Sequence, residues 1–132
     1  NKFLSLFTDY GLRITNYLHI PIQSGSNKIL KLMHRPYTKE KIISTFASLR
    51  GAFSDEAISF GTDVIVGFPQ ETESDFQETF DLCQQIGFQK IHTFIYSPRP
   101  GTDARELFLK SPKISKTELS RRSKLIRSLS AE

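Results

Sequence analysis

The stretch Thr62-Asp-Val-Ile-Val-Gly-Phe-Pro-Gln-Glu-Thr-Glu-Ser-Asp75 carries a strand, a turn and a helix start in immediate succession. Val64-Ile-Val66 is a continuous β-branched run, which suits a strand covered on both faces. Gly67 and Pro69 break it. Thr72-Glu-Ser-Asp75 then has the form of a capping box, in which a threonine and an acidic side chain satisfy each other's backbone N–H groups. Phe76, Phe80 and Cys83 follow on one helical face, and Gly87 stands where such a helix stops. A strand passed through a tight turn into a helix is the repeating unit of a parallel α/β sheet.

The pattern extends in both directions. Residues 17–23, 58–68 and 91–96 are rich in β-branched and aromatic types and read as buried strands. Between the first two, Thr38 is an N-cap for a helix whose apolar stripe is Ile42, Phe46, Leu49 and Phe53, widened by Ile43 and Ala47. Strand, helix, strand, helix, strand implies right-handed crossovers and a parallel sheet. Cys83 reads as a packed helix residue, since nothing near it in sequence would activate a thiol.

Composition bounds the reading. A chain of 132 residues, 38% hydrophobic and 24% charged, supports one modest core. Asn1 at the start, no apolar run near the roughly 18 residues of a membrane span and no signal-peptide core lead us to expect a cytoplasmic fragment or processed chain. The single cysteine can form no internal disulfide and cannot alone hold zinc or an iron–sulfur cluster. Residues 1–97 carry nine Lys/Arg against ten Asp/Glu, whereas 98–132 carry nine against four, so the tail is the basic part. Such a tail meets RNA phosphates or simply forms a solvated helix face.

Parallel strands all end on one edge, where α/β proteins bind ligands. Here those ends are Gln23-Ser-Gly-Ser26, Gly67-Phe-Pro-Gln-Glu71 and Ser97-Pro-Arg-Pro-Gly-Thr102. Alternation over 17–23 puts Tyr17, His19, Pro21 and Gln23 on one face and Leu18, Ile20 and Ile22 on the other. Gln23 donates and accepts together, which suits a ribose hydroxyl or an amino-acid group. Ser24 and Ser26 offer hydroxyls, or only cap a helix over 27–33. Gly67 lets a flat ligand approach the backbone, Phe68 can lie against it and Glu71 can accept from it, or the three form a turn before a helix. Arg99, between two prolines, suits a carboxylate or phosphate, or is an exposed turn arginine.

His19-Ile-Pro-Ile-Gln-Ser-Gly-Ser-Asn-Lys-Ile-Leu-Lys-Leu-Met33 with Arg35 and Tyr37, Thr62-Asp-Val-Ile-Val-Gly-Phe-Pro69 with Glu71-Thr72, and Phe94-Ile-Tyr-Ser-Pro-Arg-Pro-Gly-Thr102 closely resemble the radical S-adenosylmethionine methylthiotransferases, in order and at family spacing. The family inserts a methylthio group, chiefly at C2 of an N6-modified adenosine beside the tRNA anticodon; one branch modifies a ribosomal protein aspartate. The Arg-Pro-Gly-Thr ending resembles the tRNA branches, and Ile86-Gly-Phe-Gln-Lys-Ile-His92 resembles the threonylcarbamoyladenosine type. The chain departs from the family at Gln70, where glycine is usual, and at His34 and Pro36 around Arg35.

The resemblance implies an α/β fold that is half of a TIM-like (β/α) barrel, its last three strands. Residues 1–110 would belong to it, and 111–132 would form a basic helix leading toward an RNA-binding domain. It implies S-adenosylmethionine as cosubstrate, placed on its ribose and methionine side by Gln23, Ser24, Gly25 and Ser26. Ile65, Gly67, Phe68 and Glu71 would take the adenine side, with Arg99 near the cosubstrate or the transferred sulfur. The family's 4Fe-4S clusters would take ligands from outside this chain, one of them from a Cys-x3-Cys-x2-Cys loop, so the chain alone would be inactive. Its partners would be tRNA and the N-terminal half of the enzyme, with self-association of the isolated chain through uncovered sheet edges. The rival readings are a noncatalytic RNA-binding or assembly module built on the basic tail, a methylthiotransferase acting on a ribosomal protein, and another radical enzyme with the same barrel.

Overall fold

A computed structural model describes residues 17–53 and 58–131. In chain order the elements are β1 (Tyr17–His19), α1 (Asn27–Leu32), α2 (Lys39–Ala52), β2 (Ser59–Val66), α3 (Glu73–Ile86), β3 (Lys90–Ile95), α4 (Asp103–Lys110) and α5 (Lys116–Arg127). The strands form one parallel sheet in the order β1-β2-β3, with β2 in the middle.

Period-two alternation sorts β2 into two faces. Phe60, Thr62, Val64 and Val66 are fully buried on the side of the helices, whereas Asp63 and Ile65 face the other, concave side. Phe46 of α2 meets Phe60 edge-on at 4.8 Å and Phe88 at 5.4 Å, and Leu49, Phe76, Leu82 and the fully buried Cys83 complete the core. Each such side chain contributes on the order of 1.5–3 kcal/mol by leaving water. The caps read from sequence are present: Thr38 Oγ1 accepts from Lys41 N–H, Thr72 and Asp75 form the reciprocal box, and Gly87 closes α3 at φ 75°.

The first strand is shorter than the expected 17–23. Regular pairing stops at His19, and Gln23 rejoins β2 through a single bridge to Val64. Residues 20–22 therefore stand against only 62 and 63, which is a bulge. Pro21 has no N–H to give the ladder, and Thr62 repairs the gap: its Oγ1 accepts from Ile22 N–H at 3.0 Å and donates to the Ile20 carbonyl at 2.8 Å. Gln23 leaves the bulge with φ 72°. Two of the family departures, Gln70 (φ 72°) and His34 (φ 60°), occupy the same left-handed region. Pro69 and Gln70 are the centre of a turn closed by Glu71 N–H to the Phe68 carbonyl at 2.9 Å, and at Gln70 a glycine would avoid about 1 kcal/mol of Cβ strain.

Helix α4 has no counterpart in the sequence reading, although Thr102 caps it and Asp103 and Glu106 lie in its first turn. Helix α5 lies within 111–132, the stretch read as a basic helix; its Ile126 is fully buried and Leu129 borders the same core. It lies on the helical face, tied to β3 by Thr93 Oγ1–Ser123 Oγ at 3.0 Å and by Ile91 N–H to Ser130 Oγ at 2.9 Å. The described residues leave the concave face uncovered beside Phe94, which is 53% exposed.

A buried ion pair also ties α5 to the turn after β2. Arg122 Nη1 donates to Glu71 Oε1 at 2.8 Å, and that oxygen also accepts from Gly67 N–H at 2.9 Å. The two side chains are 6% and 1% exposed. Arg122 Nε reaches Glu118 Oε1 at 2.9 Å. Removing one partner of such a buried pair strands the other charge, so Glu71→Ala is expected to cost roughly 3–5 kcal/mol, with partial recovery in Glu71→Leu/Arg122→Met. Urea unfolding midpoints measure this; a Glu71→Ala loss below about 1 kcal/mol would show that the pair is dispensable.

Candidate functional site

The three strand ends border one cleft of about 590 Å³ on the concave side. Its floor is Gln23, Asp63 and Ile65. Phe68, Phe94 and Tyr96 form an aromatic wall; Phe68 meets Tyr96 at 5.2 Å, near perpendicular. Arg35, from the turn after α1, and Arg99, after β3, also line it, and neither makes an ion pair with the described residues. His34 and Asp103 lie 3.4 Å apart at the rim, linking that turn to the start of α4.

Of the residues singled out from sequence, Gln23, Ile65, Phe68 and Arg99 thus share the cleft. The bulge presents Gln23: its N–H donates to the Asp63 carbonyl at 2.9 Å and its carbonyl accepts from Ile65 N–H at 3.0 Å, leaving the side-chain amide without a partner among the described residues. Val66 and Gly67 turn the chain so that Phe68, 4% exposed, closes one side.

The others stand behind the cleft, not in its lining. Ser24 Oγ contacts Thr79 Oγ1 at 3.2 Å and accepts from Ser26 N–H at 3.1 Å. Ser26 Oγ donates to Asp75 Oδ1 at 2.9 Å and caps α1. Gly25 lies so close to α3 that a Cβ would fall 2.7 Å from Thr79 Cα, and its N–H donates to Thr79 Oγ1 at 2.8 Å. At Gly67, φ is 75° and the space a Cβ would need is filled by Leu119 of α5. Glu71 is turned inward to Gly67 and Arg122.

Ionisation follows these surroundings. Burial pushes the Glu71 carboxyl above its ordinary value, against the pull of Gly67 N–H and Arg122. For Asp75, burial acts upward but is outweighed by hydrogen bonds from Lys28, Thr72 and Ser26, so its pKa is lowered. Donation from Arg121 and Arg122 draws Glu118 down to about 2. Burial pushes the Cys83 thiol up to about 12, which removes it as a nucleophile or ligand near neutrality. Sequence reasoning did not single out Asp63 or Tyr96; the signal available was a charged and a phenolic side chain in step with the concave-facing positions of buried strands.

Comparison with known proteins agrees with this geometry. The Radical SAM superfamily model matches residues 1–83. The chain is 47% identical over 110 residues to the tRNA-2-methylthio-N(6)-dimethylallyladenosine synthase of Aquifex aeolicus, covering 83% of this chain and 24% of that protein. The synthase of the same name from Thermus thermophilus is 45% identical over 80% of this chain and 22% of its own length. That from Legionella pneumophila is 52% identical over 71% and 21%. The chain thus spans under a quarter of these relatives, and they are of the dimethylallyladenosine type, not the threonylcarbamoyladenosine type that residues 86–92 resemble. Among solved structures, coproporphyrinogen III oxidase from Escherichia coli, described as a radical SAM enzyme, superposes with a TM-score of 0.63 at 21% identity. The match covers 89% of this chain and 26% of that one, and it supports a TIM-like barrel fold. By its fold, its strand-end cleft and the superfamily match over more than half its length, this chain belongs to the radical SAM superfamily.

Proposed function

We propose that this chain is the cofactor- and substrate-placing half of the barrel in an enzyme that adds a methylthio group to C2 of an N6-modified adenosine beside the tRNA anticodon. One observation carries the reading: Gln23, Ile65, Phe68 and Arg99 meet in one cleft from three separate strand ends. The relatives' name supplies the reaction.

The superfamily implies S-adenosylmethionine and a 4Fe-4S cluster, and the residues present fit the first. Ile65 and Phe68 offer apolar surface to an adenine. The Gln23 amide meets hydroxyl or amine, and the Arg99 guanidinium meets a carboxylate. Tyr96 Oη, shielded from solvent and without a partner among the described residues, is a spare donor at the same cleft. Ser24, Gly25, Ser26, Gly67 and Glu71 act one step back, by holding the turns that aim Gln23 and Phe68. When bound, the cofactor supplies one-electron activation of a C–H bond; the residues here orient it and exclude water. The cluster does not fit: the only cysteine is buried, and no three His, Cys, Asp or Glu of the described residues are grouped to hold a metal. Its ligands belong to the N-terminal half of the enzyme.

The basic tail favours this reading over a noncatalytic RNA-binding module. Arg121 and Arg122 are held by Glu118, Glu73 and Glu71, so two of its cations already have partners. In the enzyme, residues 111–132 lead from the barrel toward an RNA-binding domain. No helix of the described residues is long and apolar enough to cross a membrane, and a tRNA substrate makes the cytoplasm the site of action.

The test is anaerobic turnover by the intact protein on an anticodon stem-loop carrying an N6-modified adenosine, with nucleosides read by mass spectrometry. A methylthio product is expected. Gln23→Ala and Arg99→Ala should lower turnover about tenfold or more at unchanged melting temperature. No product from the wild type would sink the reading, and full activity in both variants would remove those residues from it. The isolated chain, with Phe94 and Ile95 exposed beside a strand edge that no other described strand pairs, is expected to self-associate and to bind no stoichiometric cluster. Light scattering and iron analysis check this; a strictly monomeric chain or a bound cluster would contradict it.

A further inference from the structure

Tyr17, His19, Asp63 and His92 make a polar cluster on the concave face, a surface that parallel barrels ordinarily fill with branched apolar side chains. His19 Nε2 lies 2.9 Å from Asp63 Oδ1, and His19 Nδ1 lies 3.4 Å from Tyr17 Oη. The His92 ring stands 5.6 Å away, tilted by 59°. One tautomer satisfies the chain of contacts: His19 donates through Nε2 to Asp63 and accepts at Nδ1 from the Tyr17 hydroxyl.

The backbone is shaped for this cluster. Gly61 lies beneath it, and a Cβ there would fall 2.8 Å from His19 Nδ1 and collide with Tyr17 Oη. His19 occupies one oxygen of Asp63, while the other has no hydrogen-bond partner among the described residues. Asp63 is only 26% exposed and lines the cleft beside Gln23, to which its backbone is bonded. A carboxylate that is fixed, partly desolvated and half satisfied lacks a donor.

We propose that Tyr17 and His19 are positioning residues that hold Asp63 so that its free oxygen accepts from the amine or hydroxyl of an adenosine bound in the cleft. The chemistry selects that ligand. A carboxylate only accepts, the Gln23 amide donates and accepts, and Ile65 with Phe68 gives an apolar surface, a set matched by a flat base carrying N–H and O–H donors at its edge. The proposal rests on the function given above, under which two adenosines enter the cleft: that of S-adenosylmethionine and that of the tRNA.

The experiment measures two dissociation constants in the intact protein, for S-adenosylmethionine by calorimetry and for an anticodon stem-loop by fluorescence anisotropy, alongside the melting temperature. Asp63→Asn and His19→Leu are expected to weaken one of the two by about 10- to 100-fold, as for loss of a hydrogen bond to a charged group. His19→Gln retains an N–H toward Asp63 and should recover most of the loss, which a merely structural role for the imidazole would not require. A loss in the first measurement assigns the cofactor's adenosine, and a loss in the second assigns the tRNA's. If His19→Leu fails to fold, the near-isosteric Asp63→Asn decides. Unchanged affinity for both ligands in Asp63→Asn overturns the inference while leaving the proposed function intact; a wild type that binds neither ligand overturns both.

Discussion

Parallel pairing of three strands forces their carboxyl ends onto a single edge, and the rest of this structure is arranged around that constraint. The central strand bears most of it. Phe60, Thr62, Val64 and Val66 anchor one face in the core, which leaves Asp63 and Ile65 to face the cleft. Where β2 ends, Glu71 folds back beneath the turn, bonds Gly67 and receives Arg122. The same carboxylate therefore shapes the turn that aims Phe68 and seats the last helix. A buried ion pair is a weak source of net stability, but breaking it is costly, so it serves as a determinant of geometry at this edge.

Much of this was legible in the sequence because it is written in local terms. The capping box at Thr72, the cap at Thr38 and the stop at Gly87 each depend on neighbouring residues, and each forms as read. The parallel order follows from the alternation of strands and helices, and Cys83 is buried as its helical face requires. What escaped was non-local. The bulge after His19 is stitched by Thr62, far along the chain, and only the absent N–H of Pro21 hints at it. The inward turn of Glu71 depends on Arg122, and the space over Gly67 is taken by Leu119, contacts that no spacing rule joins. Ser24 and Ser26 follow the plainer of their two readings: they bind the loop to α3 and cap α1.

The site thus has two layers with different duties. In the lining, Gln23, Asp63, Arg35, Arg99 and Tyr96 have polar groups left without full partners among the described residues. Behind it, the serines, Asp75 and Thr79 bond to one another, and Glu71 accepts twice at one oxygen, from Gly67 and Arg122. Unmet polar capacity gathered on one side of a hydrogen-bonded scaffold is what a ligand-binding face requires, since rigid support costs less binding energy than ordering loops on arrival. The concave face, open beside Phe94, is the surface that the remainder of a barrel would close.

The central claim is that these three strand ends bind one ligand together. Hydrogen–deuterium exchange on the intact protein, with and without S-adenosylmethionine, tests it most directly. The account predicts slowed exchange at amides in 23–26, 66–71 and 96–101 together, with α2 and the exposed face of α5 unchanged. Protection confined to one of these segments, or appearing only elsewhere, would contradict it.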